Sequence, residues 1–177
     1  MQLFAFGQQD SIRHSVKYYS SLQFGMLFNC IDCDTNYQSN ASITMQHGIS
    51  FNEKYVVALG LGRESYGQLR SSPVILHLEK SAKGLSGRYG FALDAGFTRL
   101  KYKNGELWNW IGTLERGTGT ILHPQFFMVA GEKKTKLFTS IGYKYVWADL
   151  EYDNWGLPNL VDMSISRLTV QIGLRIN

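Results

Sequence analysis

Large apolar side chains occupy every second position in eight separate stretches of this chain. The most regular stretch is 42–51, in which Ile43, Met45, His47, Ile49 and Phe51 alternate with Ser42, Thr44, Gln46, Gly48 and Ser50. A period of two residues indicates a β-strand with two different faces, because successive side chains of a strand point in opposite directions. We find no helical stripe of comparable length. The sequence therefore predicts an all-β chain.

The other seven stretches repeat this pattern. Their apolar members are Leu22, Phe24, Met26 and Phe28; Tyr55, Val57, Leu59 and Leu61; Val74, Leu76 and Leu78; Tyr89, Phe91, Leu93, Ala95 and Phe97; Leu122, Pro124, Phe126 and Met128; Ile141, Tyr143, Tyr145 and Trp147; and Leu168, Val170, Ile172, Leu174 and Ile176. Pro124 cannot donate a hydrogen bond to a neighbouring strand, so we expect a local bulge there.

Length and composition limit the class of protein. The 177 residues contain no linker-like stretch, which predicts one domain over residues 16–177. Residues 1–15 read as the remnant of a signal peptide or a flexible N-terminus. No apolar run is long enough for a transmembrane helix. Lys and Arg are scattered despite a net charge of +4, so no nucleic-acid partner is expected.

The predicted links between strands alternate in length. Short links are expected at 52–54, 80–87 and 131–135, and longer ones at 29–40, 65–72, 98–118 and 148–164. An up-and-down barrel in an outer membrane has short turns at one rim and long loops at the other. The chain is therefore predicted to form an eight-stranded antiparallel up-and-down transmembrane β-barrel.

Side-chain volume indicates which face points outward. The apolar faces carry roughly thirty large side chains, more than the narrow interior of an eight-stranded barrel can hold. The opposite faces are rich in Gly, Ala, Ser and Thr, which fit inside. Charged residues on those faces predict a paired network in the barrel interior. They are Glu64, Glu79, Arg88, Asp94, Lys144, Arg167 and Arg175.

Aromatic residues lie near the strand ends on the outward face. They are Tyr18, Tyr55, Tyr89, Tyr143, Tyr145 and Trp147. Amphipathic rings favour the headgroup boundary of a bilayer, so these residues resemble an aromatic girdle.

Several strand motifs in this order resemble the small eight-stranded outer-membrane β-barrel proteins of the OmpA and OmpX type. The motifs are Ala58-Leu59-Gly60-Leu61-Gly62, Ser72-Pro73-Val74-Ile75-Leu76-His77-Leu78, Tyr89-Gly90-Phe91-Ala92-Leu93-Asp94-Ala95-Gly96-Phe97 and Gly173-Leu174-Arg175-Ile176-Asn177. The resemblance covers the chain from about Val16 onward. It implies a bacterial outer-membrane location, with outer-membrane lipid and lipopolysaccharide as neighbours.

Common catalytic and cofactor motifs are absent from the sequence, and no cofactor or metal site is expected. The compact Cys30-Ile31-Asp32-Cys33 motif lacks the partners of a zinc or thioredoxin site, and we interpret it as a loop disulfide between Cys30 and Cys33. Asp94, His77 and His123 form only a speculative enzyme site.

One predicted loop is unusually aromatic for a solvated segment. Its residues Tyr102, Leu107, Trp108, Trp110 and Ile111 suggest contact with another envelope protein, although they could equally fold back onto the barrel rim. The main hypothesis is a non-enzymatic outer-membrane barrel that is structural or binds a partner through long external loops. The alternatives are a soluble lipocalin-like barrel that binds an apolar ligand, and a lipid A-modifying enzyme.

Overall fold

A computed structural model describes residues 15–29, 40–67, 69–84, 87–102, 113–131, 134–154 and 157–176. They form eight strands: β1 (Val16–Asn29), β2 (Asn40–Phe51), β3 (Tyr55–Tyr66), β4 (Leu69–Lys83), β5 (Arg88–Tyr102), β6 (Thr113–Ala130), β7 (Thr135–Asn154) and β8 (Leu157–Ile176). Each strand pairs antiparallel with the next, and β8 pairs with β1 to close the barrel. The predicted eight-stranded barrel is confirmed. The described residues include no helix suited to crossing a membrane.

The two ends of the barrel differ in their links. We call the end with residues 52–54, 84–87 and 131–134 the turn rim, and the end with residues 30–39, 67–68, 103–112 and 155–156 the loop rim. Two of the long links predicted at the loop rim are wrong. The link expected over 65–72 is only 67–68, and the link expected over 148–164 is only 155–156.

Polar outward side chains explain this error. Near the loop rim the strands continue to pair, as Ser65 with Arg70 and Asp149 with Asp162, but regular apolar alternation on their outward face is interrupted by these polar residues. Hydrophobic alternation therefore ends before the backbone ladder ends. The strands extend beyond the apolar part of the wall toward the loop rim.

The wall of the barrel is apolar outside and polar inside. Leu59 is 67% exposed and Phe91 is 71% exposed, whereas Gln46 and His77 on the inner face are fully buried. Every strand shows the orientation predicted from its alternation. The lipocalin-like alternative needs the opposite arrangement, with apolar side chains inside.

Inward glycines let neighbouring strands approach closely. A Cβ atom added at Gly90 would lie 2.0 Å from the backbone oxygen of Lys80, and one at Gly96 would lie 2.0 Å from that of Val74. Only glycine fits such positions without moving the backbone. Small inner residues thus allow the sheet to curve into a narrow barrel.

The bulge predicted at Pro124 is wrong. Leu122 pairs with Tyr145 and Gln125 pairs with Gly142, so the register is the same on both sides of the proline. A missing N–H donor removes one ladder bond but does not insert the extra residue that defines a bulge. The irregularity of this strand pair lies instead between Leu114 and Arg116.

Candidate functional site in the barrel lumen

A guanidinium group surrounded by aromatic rings fills the lumen near the turn rim. Arg175 is 2% exposed, and its two Nη atoms donate to the carboxylate of Glu79 at 3.0 and 2.6 Å. Its Cζ atom lies 5.1 Å from the ring centre of Tyr19, 5.3 Å from Phe127 and 4.9 Å from Phe138. A bidentate ion pair combined with ring contacts suits a planar guanidinium. These five side chains form a plug across the lumen.

A second level of the lumen is centred on Asp94. The carboxylate accepts hydrogen bonds from His77 Nδ1 at 2.6 Å, His123 Nδ1 at 3.2 Å and Gln125 Nε2 at 2.6 Å. On the far side of the second ring, His123 Nε2 lies 2.7 Å from the hydroxyl of Thr169. When Nδ1 donates, Nε2 of a neutral ring accepts from that hydroxyl. Both carboxylate oxygens therefore have partners, as a buried carboxylate requires.

His77 connects this level to the plug. Its Nε2 lies 3.5 Å from Glu79 Oε2, and its ring stacks on Tyr19 with a centroid distance of 6.1 Å. The Tyr19 hydroxyl donates to Gln46 Oε1 at 3.1 Å, and Ser21 donates to the same oxygen at 3.0 Å. Hydrogen bonds and ring stacking thus connect residues of β1, β2 and β4 inside the lumen.

A third level contains a buried ion pair. Lys144 of β7 donates through Nζ to the carboxylate of Glu64 on β3, and the Tyr66 hydroxyl donates to the other carboxylate oxygen. Lys144 and Glu64 are 4% and 2% exposed. Pairing and a further hydrogen bond offset part of the cost of burying both charges.

The lumen becomes apolar toward the loop rim. A packed cluster there consists of Leu27, Tyr66, Leu69, Leu100, Ile121, Val146, Ala148, Leu150 and Ile165, with Met163 against it. Outer-membrane barrels usually have polar interiors. This lumen therefore has a packed apolar cluster on the loop-rim side of its charged levels.

The turn rim carries a separate, more exposed ion-pair group. Glu53 accepts a hydrogen bond from Lys17 Nζ at 2.5 Å and pairs with the guanidinium of Arg88. The hydrogen bond from Lys17 is the largest effect that holds the pKa of Glu53 below its ordinary value of 4.5. Arg88 also donates to the backbone oxygen of Glu53, which fixes the turn against β5.

The structure distributes the seven predicted charged residues over these groups. Glu64, Glu79, Asp94, Lys144 and Arg175 are buried in the lumen, whereas Arg88 and Arg167 are only half-buried. Arg88 belongs to the turn-rim group, and Arg167 donates to the backbone oxygen of Ser166 at 3.3 Å. In the lumen, Lys144 pairs with Glu64, whereas the Arg175–Glu79 pair and the Asp94 cluster are joined through His77.

Sequence reasoning missed several members of the lumen groups. Tyr19, Phe127 and Phe138 surround Arg175, and Gln46 and Gln125 complete the hydrogen bonds. These residues occupy the strand positions that alternate with the apolar outward ones, and this placement is the signal that could have identified them.

Other predicted sites lie outside the described residues. These are Cys30 and Cys33 with their predicted disulfide, and Leu107, Trp108, Trp110 and Ile111 of the aromatic loop. Tyr102 ends β5, and its side chain is not described. Of the N-terminal segment 1–15, only residue 15 is described.

The charged side chains of the lumen bond mainly to one another and to neighbouring inward residues. The structure brings together His77, Asp94 and His123, but their side chains bond to one another and to inner neighbours, and all three are buried. No group of three His, Cys, Asp or Glu side chains in the described ranges has the geometry of a metal site. The arrangement stabilises charges inside the barrel and fills its cross-section.

The aromatic residues lie in two places on the outer wall. Tyr18, Tyr55 and Tyr89 are exposed near the turn rim, and the Tyr18 hydroxyl is 2.6 Å from His47 Nδ1. On β7, toward the loop rim, the rings of Tyr145 and Trp147 stack at 5.8 Å. The apolar wall is therefore bordered by amphipathic rings at both ends.

A closed barrel of eight strands with an apolar wall, bordering aromatic rings and a filled lumen has the fold of the small outer-membrane β-barrel proteins. Among solved structures, the chain is similar to outer membrane protein AlkL, determined by solid-state NMR in DMPC lipid bilayers, with a TM-score of 0.51. The match covers 99% of this chain and 96% of that one at 10% sequence identity. Such a likeness concerns the fold. No family model matches the chain, and no curated protein matches it.

Proposed function

We propose that this chain is a non-enzymatic integral protein of the bacterial outer membrane. The observation that carries the proposal is the apolar outer wall. Large apolar side chains are exposed on all eight strands, and on β5 they run from Tyr89 to Phe97, nine residues. A tilted strand needs about 9–11 residues to cross a bilayer. A surface of this kind is stable in lipid and would aggregate in water.

The proposed orientation follows from the links. The turn rim has only short links and would face the periplasm, while the loop rim carries the two ten-residue links 30–39 and 103–112 and would face outward. This orientation exposes those links to other molecules at the cell surface. The proposed role is structural, or the binding of another envelope protein through these links.

The filled lumen supports a role other than that of an open channel. Arg175 with its three rings, Asp94 with its histidines, and the apolar cluster each occupy a different level. An eight-stranded barrel has little interior space beyond that taken by its own side chains. Reconstitution in planar bilayers is expected to give no steady ion conductance.

Fractionation tests the proposed location. The protein should sediment with outer membranes, resist extraction at high salt, and migrate differently on gels before and after heating. Recovery of folded protein from the soluble fraction without detergent would overturn the proposal. An unheated sample with the same mobility as the heated one would do the same.

The apolar cluster of the lumen near the loop rim favours a second candidate function, the binding of a small apolar molecule that enters from this rim. The cluster that includes Leu100, Leu150 and Ile165 would line its path. An apolar fluorescent dye should then bind to the refolded protein beyond its partition into empty micelles, and Ile165→Trp should abolish this binding. The outward substitution Val170→Trp is the matched control. Equal dye fluorescence with and without the protein would rule out this function.

A further inference from the structure

Four basic side chains project outward from three adjacent strands near the loop rim. Arg63 lies on β3, Arg70 on β4, and Arg99 and Lys101 on β5, and all four are exposed. We call them the basic wall patch. Arg70 is paired directly with Lys101, and Arg99 is paired with Ser72. Side chains at paired positions and at diagonal ones on the same face lie within reach of one ligand.

The patch lies directly beyond the apolar part of the wall. The last outward residues before it are Leu61, Val74 and Phe97, which are 64%, 53% and 71% exposed. The next outward residue of β3 is Arg63 and that of β5 is Arg99. In a bilayer, these side chains would therefore lie at the level of the lipid headgroups. Their long apolar stems can follow the wall while their charged ends reach the polar region.

Within the described residues, no acidic side chain pairs with the positive charges of the patch. None of its four side chains has an ion-pair partner in the part of the chain that the structure describes. Two described acidic residues exposed at this level lie across the barrel, where Asp149 of β7 pairs with Asp162 of β8. The described part of the wall near the loop rim thus has a basic side and an acidic side. An anionic ligand would be attracted to the β3–β5 side.

We propose that the basic wall patch binds the phosphate groups of lipopolysaccharide in the leaflet on the loop side. The inference rests on the proposed outer-membrane location. Guanidinium groups donate paired hydrogen bonds to phosphate oxygens, and three of the four patch residues are arginine. The adjacent Leu61, Val74 and Phe97 provide an apolar surface for the acyl chains of the same lipid. One molecule can therefore satisfy both the charged and the apolar part of this surface.

Binding of a purified lipid to the refolded protein tests this site. The probe is the bisphosphorylated lipid anchor of lipopolysaccharide, titrated into protein in zwitterionic micelles. The test variant changes Arg63, Arg70, Arg99 and Lys101 to Gln. The matched control changes four exposed lysines of the turn rim to Gln, namely Lys54, Lys80, Lys83 and Lys134. Both variants lose the same charge, and the heat-dependent gel shift verifies that each is folded.

The patch variant is expected to bind about 1000-fold more weakly than the unmodified protein. The turn-rim variant should keep its affinity, and the anchor without phosphates should bind weakly to all three proteins. Equal affinity of the patch variant and the unmodified protein would overturn the inference, as would an equal loss in the turn-rim variant. Equally tight binding of inorganic phosphate would also overturn it, by identifying a free anion as the ligand.

If the fourfold variant does not fold, the double variant Arg70→Gln with Lys101→Gln replaces it, and we expect about a 30-fold loss of affinity. Failure of the proposed location has a different signature, which is unmodified protein in the soluble fraction. Failure of the phosphate site leaves the protein in the membrane with unchanged lipid affinity in the variants.

Discussion

Replacement of Arg175 by methionine should strongly destabilise the barrel. The guanidinium is 2% exposed and makes two hydrogen bonds to Glu79, at 3.0 and 2.6 Å. Methionine fills most of the space between the three rings but removes the guanidinium from the buried Glu79 carboxylate, which keeps only the longer contact of 3.5 Å with His77 Nε2. Removing one partner of a buried ion pair costs about 3–5 kcal/mol. We expect Arg175→Met to lower the free energy of unfolding by that amount.

The assay is urea unfolding of the protein in phospholipid vesicles, followed by tryptophan fluorescence and by gel mobility. The double variant Arg175→Met with Glu79→Gln is the control, because a neutral amide needs no counterion. It should recover at least half of the lost stability. A loss below about 1 kcal/mol in the single variant would refute the reasoning, since exposed pairs give such values. So would a double variant as unstable as the single one.

Three further predictions concern the wall, the inner glycines and the turn rim. Leu59→Arg, near the middle of the apolar wall, should cost about 2–4 kcal/mol in vesicles, and a loss near zero would argue against lipid contact. Gly90→Ala should lower the free energy of unfolding by about 1–3 kcal/mol by overpacking. The loss should exceed that of Gly60→Ala, whose added Cβ would meet the Ile75 side chain at 2.7 Å instead of backbone. The reverse order in urea unfolding would contradict this. Because the pKa of Glu53 is lowered by Lys17, its contribution is complete above pH 4.5 and is lost as pH falls through the folded pKa. Glu53→Gln should therefore reduce the loss of stability between pH 7 and pH 3 by about 0.2–1 kcal/mol, and an unchanged pH profile would contradict a role of the pair in this loss.

The strands and their faces could be predicted because alternate residues face different surroundings. Outward positions carry large apolar side chains, and inward positions carry small or polar ones. Ile43, Met45 and Ile49 of β2 lie outward, and Thr44 and Gln46 lie inward, as their alternation indicates. Side-chain volume then decides which face is outside. These features depend only on local sequence and on the size of the barrel.

Partners across the lumen could not be predicted in the same way. Glu64 and Lys144 are 80 residues apart, and Glu79 and Arg175 are 96 apart. Alternation indicates that each of these four side chains points into the lumen. Its position along the barrel axis, however, depends on the register of every strand between the two partners. The ends of the strands at the loop rim could not be predicted from alternation either, because the outward residues Arg70 and Asp149 are polar although their backbone still pairs.

The central claim is that the apolar face of each strand contacts lipid and the polar face lines the lumen. Spin labels on single cysteines at Val74, Ile75, Leu76, His77 and Leu78 of β4, in protein reconstituted into vesicles, test this directly. Dissolved oxygen, which concentrates in the bilayer, should relax the labels at 74, 76 and 78 strongly and those at 75 and 77 weakly. Strong relaxation at 75 and 77 with weak relaxation at the other three, or no alternation, would contradict the claim.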